Sequence, residues 1–219
     1  MTDPTFVRLV RHGEVAQAHR GTFYGGAEVP LSEQGRADSL LLAARLADDP
    51  VDRVLSSPLS RARAVAEPLA AALGLELQLR DGLRELDRGQ WTHLPHAEVE
   101  RRWPGAIARY LEDPEAGAAP GGETESTFCQ RVWQTLDAEL GAHPGARLAA
   151  VAHGHVIRAI LRRVEGHTGP HSLAGFVPYH AVVDLELRAD GSGRVLSRPD
   201  PVIPEALRSA RAGPSPHRP

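Results

Sequence analysis

Phe6-Val7-Arg8-Leu9-Val10 is followed directly by Arg11-His12-Gly13-Glu14. The mainly apolar run predicts a buried strand, and the four residues after it predict a tight turn at the end of that strand. Gly13 lets the backbone approach a ligand closely. Arg11 supplies a planar fork of donors that suits phosphoryl oxygens, and a neutral His12 has a nitrogen lone pair for attack at phosphorus. This stretch therefore predicts a strand that ends in a phosphate site.

The composition is that of an ordinary globular protein. A chain of 219 residues, 42% of them hydrophobic, can form one domain with an embedded subdomain. The net charge of -3 argues against a general nucleic-acid binder. The single cysteine, Cys129, excludes an intramolecular disulfide and fits a reducing compartment. Because no signal peptide and no membrane-spanning run is evident, we predict a cytoplasmic protein without a membrane or nucleic-acid partner.

Segments typical of strands and of helices alternate along the chain, which predicts an α/β fold. Ser32 is a predicted helix N-cap, and the helix after it is expected to bury the face formed by Ala37, Leu40, Leu41 and Ala44. Ser57 and Pro58 predict the start of a second helix. A third helix is predicted directly after His153-Gly154-His155.

The predicted domain covers residues 1–197. Residues 91–145 differ from the rest in their mixture of Trp, Pro, Gly and charged residues, and we expect them to form a helical cap outside the sheet. A closing hairpin is predicted around Asp190-Gly191. Residues 198–219 are rich in Pro and Arg, which predicts a disordered tail.

Four polar motifs each follow a predicted strand: Arg11/His12, Ser57/Arg61, Glu85 and His153. Ligands bind at the carboxyl ends of strands in open α/β sheets, so we expect these motifs to lie side by side. Two arginines and a second histidine would then hold a phosphoryl group while His12 attacks it. Glu85 would protonate the departing oxygen and later activate water.

These motifs together resemble the histidine phosphatase superfamily, the phosphoglycerate-mutase-like group. The resemblance rests on Arg11-His12-Gly13-Glu14, Ser56-Ser57-Pro58-Leu59-Ser60-Arg61-Ala62, Leu83-Arg84-Glu85 and Ala152-His153-Gly154. Two further segments support it, Pro30–Arg36 and Pro120–Glu123. The similarity runs over roughly residues 6 to 165, in the order of the family.

The resemblance implies a three-layer α/β/α sandwich around a mostly parallel sheet. It also implies a phosphohistidine intermediate on His12, with Glu85 as the proton donor and His153 as a third catalytic residue. Phosphate binding is carried over to Arg11, Gly13, Arg61 and His153. The family needs no metal or other cofactor, so none is expected here.

The motif Tyr24-Gly25 is similar to the alpha-ribazole phosphatase and fructose-bisphosphatase branches. Tyr24, Gly25, Ser57 and Gly154 are therefore candidate contacts to the substrate. The chain departs from the family pattern at two positions. Val15 and Ala18 stand where family members often have Thr and Asn, and Gln17 or His19 is a candidate replacement for the asparagine.

Several residues have two interpretations. Glu14 or Asp87 competes with Glu85 for the role of general acid. Arg101 and Arg102 either hold a second anionic group or form a solvated face. His155 pairs with His153 at a spacing that metals accept, but an ordinary helix residue is the favoured interpretation. Four ring residues either line the pocket or pack beneath the loops: Phe23, Tyr24, Trp91 and His93.

The function that these features favour is a cofactor-free phosphomonoesterase acting on a small phosphorylated metabolite. The first alternative is a phosphoglycerate mutase, which returns the phosphoryl group to its product. The second is a catalytically silent protein that binds a phosphorylated ligand. The oligomeric state stays open, with a homodimer as one possibility.

Overall fold

The computed structural model describes residues 3–166, 177–197 and 200–201. Within these residues, strands and helices alternate as the sequence predicts. The strands are β1 (Thr5–Arg11), β2 (Arg53–Ser56), β3 (Leu77–Leu79), β4 (Arg147–Ala152), β5 (Ala181–Leu187), β6 (Gly193–Val195) and β7 (Asp200–Pro201). The helices are α1 (Glu33–Leu46), α2 (Ser60–Leu73), α3 (His96–Arg102), α4 (Ala106–Glu112), α5 (Glu125–Ala142) and α6 (Gly154–Val164).

The strands form one mixed sheet in the order β3-β2-β4-β1-β5-β6, and β7 also pairs with β5. The four strands β3, β2, β4 and β1 are mutually parallel. β5 runs antiparallel to β1, and β6 and β7 run antiparallel to β5. The parallel core and the β5–β6 hairpin of the predictions are confirmed.

The two faces of the sheet are covered by different helices. Leu148 and Ala150 on β4 belong to a core cluster that includes buried residues of α5 and α6. Ala149 and Val151, which alternate with them, belong to a second cluster with buried residues of α1 and α2. Since successive side chains of a strand point to opposite faces, this alternation produces the three-layer α/β/α sandwich that was predicted.

Helix α1 begins as predicted, because the Ser32 hydroxyl accepts a hydrogen bond from the Gly35 amide at 2.9 Å. The predicted buried face of α1 is wrong. Leu40 is 52% exposed, and the buried side includes the polar residue Ser39. The Ser39 hydroxyl donates to the Gly35 carbonyl and lies 3.1 Å from Nε2 of His180. An apolar pattern predicts only the burial of apolar residues. It cannot predict that a polar residue such as Ser39 is buried because it contacts a distant part of the chain.

The predicted cap ends earlier than residue 145. Helix α5 packs onto the sheet through buried residues such as Phe128, Val132 and Leu136, so it is part of the sandwich. The cap segment is therefore defined as residues 91–124. It has a small core of its own around the buried Trp91, Val99, Ala106 and Ala119.

Helix α2 starts at Ser60 rather than at Pro58, because Leu59 takes the N-cap position. Of the predicted tail, Asp200 and Pro201 pair with β5, and the other residues from 198 to 219 lie outside the described residues. Among the described residues, no helix is both long enough and apolar enough to cross a bilayer.

Candidate active site

Three neighbouring parallel strands end at the same edge of the sheet. Arg11 of β1 pairs with Ala152 of β4, and Ser56 of β2 pairs with Val151 of β4. The chain leaves each strand at this edge, so His12, Ser57 and His153 lie next to one another. The structure thus brings together motifs that are separated by up to 141 residues, as the strand-end pattern predicts.

His12 is buried, with 1% of its surface exposed. Its Nδ1 lies 2.7 Å from the carbonyl oxygen of Gly13, and a carbonyl can only accept. Nδ1 therefore carries the proton, and Nε2 keeps its lone pair. Burial lowers the pKa of His12 well below 6.5, and the nearby His153, Arg61 and Arg11 act in the same direction. The ring is neutral near pH 7.

Gly13 is required by the space around the turn after β1. A Cβ atom at this position would lie 2.5 Å from His180 Nε2 and 2.7 Å from the carbonyl oxygen of Gly35. His180 in turn donates its backbone amide to the His12 carbonyl at 3.2 Å. The absence of a side chain lets three segments of the chain meet directly beneath His12.

Arg61 lies in the first turn of α2 and is 1% exposed. Its Nη1 donates to the carbonyl of Ala27 and its Nη2 to the carbonyl of Gly25, both at 2.7 Å. Its Nε is buried without a hydrogen-bond partner in the described part of the chain. Burial lowers the pKa of Arg61, although a guanidinium stays charged. Since neutral carbonyls hold the side chain, its positive charge is available to an anion.

His153 is fully buried beside His12, with ring centroids 5.1 Å apart. Its Nε2 lies 2.8 Å from the Ser57 hydroxyl oxygen. Its Nδ1 is buried and has no hydrogen-bond partner among the described residues. Burial and the Arg61 charge hold the pKa of His153 well below 6.5. Ser57, predicted as a substrate contact, thus contacts His153.

Arg11 forms part of the wall of the same site. Its guanidinium carbon lies 4.2 Å from the ring centroid of Tyr179, and its Nη1 donates to the Val177 carbonyl. The Tyr179 ring is also 5.7 Å from the ring of His12, and its hydroxyl is 3.4 Å from that of Tyr24. Sequence reasoning missed Tyr179, because no motif surrounds it and only the β1–β5 pairing brings it here.

Glu85 is buried and accepts a hydrogen bond from the Leu86 amide at 2.9 Å. One carboxylate oxygen also lies 3.3 Å from Nδ1 of His155. Burial by itself raises the pKa of Glu85, but these contacts and His153 outweigh it and hold the pKa well below 4.5. The carboxylate is ionised when the site holds no substrate.

The two competitors of Glu85 have other contacts. Glu14 forms an ion pair with Arg20 at 2.8 Å and accepts a hydrogen bond from the Ser32 hydroxyl. Asp87 is exposed and accepts from the Gly89 amide. Of the three carboxylates, Glu85 alone lines the cavity beside Arg11.

A cavity of about 270 Å³ opens beside these residues. Its lining includes Arg11 and Glu85 and three of the predicted substrate contacts, Tyr24, Gly25 and Gly154. Gly25 adopts a φ of +40°, and a Cβ there would lie 2.4 Å from the Leu86 carbonyl oxygen. A volume of this size is just below the usual range for small-molecule sites.

The sequence of residues 7–198 matches the profile of the histidine phosphatase superfamily, branch 1. The chain belongs to this superfamily. Its fold and its strand-end motifs agree with that membership, and they confirm the resemblance noted in the sequence.

Relatives of this histidine phosphatase include proteins named as phosphatases and proteins named as mutases. The chain is 32% identical over 152 residues to phosphoserine phosphatase 1 of Hydrogenobacter thermophilus, a match that covers 69% of this chain and 72% of the relative. It is 31% identical over 163 residues to a probable phosphoglycerate mutase of Erwinia tasmaniensis, covering 73% of this chain and 74% of the relative.

Solved structures share the fold. A mycobacterial glucosyl-3-phosphoglycerate phosphatase in complex with inorganic phosphate is 28% identical, with a TM-score of 0.75 over 89% of this chain and 95% of that chain. The alpha-ribazole phosphatase from Shigella flexneri has a TM-score of 0.79 at 24% identity, over 91% of this chain and 98% of that chain. The second likeness shows the fold alone.

The remaining residues that the sequence suggested for the site of this histidine phosphatase differ in whether they line the cavity. Phe23 lines the cavity, whereas Trp91 is buried in the core of the cap segment. His93 is exposed, and its ring lies 6.2 Å from that of His19. Val15 is buried and Ala18 is exposed. Within residues 3–166 and 177–197, no group of three or more His, Cys, Asp or Glu side chains is arranged to hold a metal ion.

Arg101 and Arg102 do not reach the cavity. Both donate to the carboxylate of Glu98 on their own helix, at 2.7 Å and 2.5 Å, and neither lines the cavity. Their solvated interpretation is therefore the one that the structure supports.

Proposed function

We propose that this histidine phosphatase hydrolyses a small phosphomonoester through a phosphohistidine intermediate on His12. The observation that carries the proposal is the tautomer of His12, whose Nδ1 is held by the Gly13 carbonyl while Nε2 stays unprotonated. Arg61 and His153 lie beside it with buried nitrogens that lack partners among the described residues. A bound phosphoryl group would supply acceptors for such donors. Relatives and structural neighbours named as phosphatases support the same reaction class.

In the first step, Nε2 of His12 attacks phosphorus in line with the departing oxygen. A P–N bond forms and the P–O bond to the leaving group breaks. Arg11 and Arg61 neutralise charge on the equatorial oxygens, and the neutral His153 donates a hydrogen bond to one of them. A Ser57 hydroxyl that donates to Nε2 of His153 leaves the remaining ring proton on Nδ1, where it can donate to phosphate.

Glu85 protonates the departing alkoxide in that step. The carboxylate is ionised in the free site, so Glu85 has to take up a proton from solvent when the substrate binds. A phosphate dianion placed between Arg61 and Glu85 repels the carboxylate charge, and this raises the pKa of Glu85 toward the operating pH. The general acid is therefore formed only when the phosphoryl group is bound.

In the second step, Glu85 accepts a proton from water, and the resulting oxygen nucleophile attacks phosphorus. The P–N bond breaks, and its electron pair returns to Nε2 of His12. Inorganic phosphate leaves, and Glu85 passes its proton to solvent or to the next leaving group. His12 is again neutral, and Glu85 is again an ionised carboxylate.

The direct test is phosphate release by the wild type and His12→Ala, with a chelator present. The panel contains sugar phosphates, phosphoglycerates, nucleoside monophosphates, alpha-ribazole phosphate and p-nitrophenyl phosphate. We expect kcat/KM to fall by about 10⁴-fold or more in the variant, since no other group replaces the nucleophile. The chelator should leave the wild-type rate unchanged. Turnover by His12→Ala near the wild-type rate would refute the proposal.

A phosphoglycerate mutase is the second candidate, because relatives of similar identity are named as probable mutases. Isomerisation of 3-phosphoglycerate, primed with a bisphosphate, distinguishes the two reactions directly. Net isomerisation faster than phosphate release would favour the mutase. A cytoplasmic location stays a prediction.

A further inference from the structure

Arg88 lines the cavity that also contains Arg11 and Glu85. It is 7% exposed, and its Nη2 donates to Nε2 of His155 at 3.0 Å. Its guanidinium carbon lies 5.5 Å from the ring centroid of Phe23 and 4.7 Å from that of Tyr110. Two aromatic rings and an imidazole thus fix the position of a buried cation without supplying a negative charge.

Arg158, on α6, lines the same cavity and is partly buried. It makes no hydrogen bond or ion pair to any residue that the structure describes. Burial lowers the pKa of Arg158, the charges of Glu85, Tyr110 and Glu125 oppose this shift, and the charge of Arg88 adds to it. The nearby Glu125 is bound to Arg162 instead.

The cavity carries an excess of positive charge. Its described lining contains three arginines, Arg11, Arg88 and Arg158, and one carboxylate, Glu85. Glu85 is already committed to His155 and to backbone amides. Burying guanidinium groups is costly unless opposite charges balance them, and one carboxylate does not balance three arginines. The charges point to an anion other than the phosphoryl group, which belongs at His12.

We propose that Arg88 and Arg158 bind a second anionic group of the substrate, a carboxylate or a second phosphate. The substrate class is then a small phosphomonoester that carries such a group a few bonds from the ester oxygen. This inference rests on the proposed function. It moves the second-anion site from Arg101 and Arg102, where the sequence suggested it, to the cavity beside Glu85.

The test compares compounds that differ by one anionic group. Phosphoserine and phosphoethanolamine differ by a carboxylate, and so do 3-phosphoglycerate and glycerol 3-phosphate. Fructose 1,6-bisphosphate and fructose 6-phosphate test a second phosphate. For each pair, the ratio of kcat/KM values measures the contribution of the extra group. Where turnover is slow, the ratio of Ki values against p-nitrophenyl phosphate measures the same contribution.

Arg158→Gln is the main variant, because no hydrogen bond of the described structure is lost with it. We expect the wild type to prefer the compound with the extra anion in at least one pair. In Arg158→Gln that ratio should fall roughly 10- to 100-fold, the loss typical of a charge-assisted hydrogen bond, mainly through KM. Hydrolysis of p-nitrophenyl phosphate should change by less than about threefold. Arg88→Gln should lower the same ratio.

Arg101→Gln is the matched control, an exposed arginine paired with Glu98, and its ratios should equal those of the wild type. Equal use of both members of every pair by the wild type would overturn the inference. So would a wild-type preference that survives in both Arg158→Gln and Arg88→Gln. Either result together with His12-dependent phosphate release would leave the proposed function intact, whereas turnover without His12 would refute both.

Discussion

Arg11, His12, Ser57, Arg61 and His153 form a cluster that we name the phosphate pocket after its proposed ligand. The phosphate pocket and the cap segment use their arginines in opposite ways. Arg61 is buried and held by two neutral carbonyls, so its charge is left for a ligand. Arg101 and Arg102 of the cap segment are bound to the carboxylate of Glu98 in solvent. The number of arginines in a segment therefore says little about anion binding; what decides it is whether a carboxylate already neutralises them.

The two regions also differ in what holds them. The phosphate pocket is built from the ends of three hydrogen-bonded strands, and its positions follow from the sheet register. The cap segment has short helices around a four-residue buried core. We expect changes in the phosphate pocket to affect every substrate and changes near the cap segment to affect substrates selectively.

Among the variants that should discriminate between leaving groups, a substitution of Glu85 should have the largest effect on kcat/KM. In Glu85→Gln, kcat/KM for glycerol 3-phosphate should fall roughly 10²- to 10⁴-fold, because the alkoxide loses its proton donor. Hydrolysis of p-nitrophenyl phosphate should fall far less, since its leaving group needs no proton. Steady-state kinetics with both compounds measure the difference. Equal losses for the two would show that Glu85 is not the general acid.

Neutral histidines packed in and around the site should make the folded state sensitive to acid. Burial lowers the pKa of His155 to about 4, while the unfolded chain takes up this proton near pH 6.5. A lowered histidine pKa means that stability is present above pH 6.5 and is lost as pH falls toward 4. The His155 contribution lost by pH 5 is on the order of 2 kcal/mol.

Urea unfolding at pH 7.5 and pH 5 measures this loss. His12 and His153, whose pKa values are also lowered, add to it in the same direction. The loss should be smaller in His155→Gln and unchanged in His93→Gln, which removes an exposed histidine of the cap segment. A wild-type free energy of unfolding that does not change between these pH values would contradict the assignment of neutral histidine rings.

Ser57→Ala should give a smaller, uniform effect. The variant removes the hydroxyl that contacts Nε2 of His153. Without it, the tautomer of His153 is no longer fixed, and kcat/KM should fall about tenfold for every substrate alike. Ser60→Ala is the control, because that hydroxyl faces Glu28 in solvent. A selective loss for one substrate would show that Ser57 contacts the substrate instead.

Local signals predicted the elements that depend on neighbouring residues. The Ser32 cap and the β5–β6 hairpin both follow from residues close in sequence. The buried face of α1 could not be predicted from nearby residues, because the buried Ser39 contacts His180, which is 141 residues away in the sequence. The end of the cap segment was missed for a related reason, because α5 packs on strands that come from both halves of the chain.

The sequence by itself determined the fold class and the group of strand-end motifs, because apolar periodicity and strand ends are local properties of the chain. Only the tertiary structure decided which other side chains surround those motifs. Tyr179 reaches His12 through the antiparallel pairing of β5 with β1. Arg88 and Arg158 meet at one cavity, while Arg101 and Arg102 turn to Glu98. A cation's role depends on the partners that folding places within reach, and sequence spacing does not encode those partners.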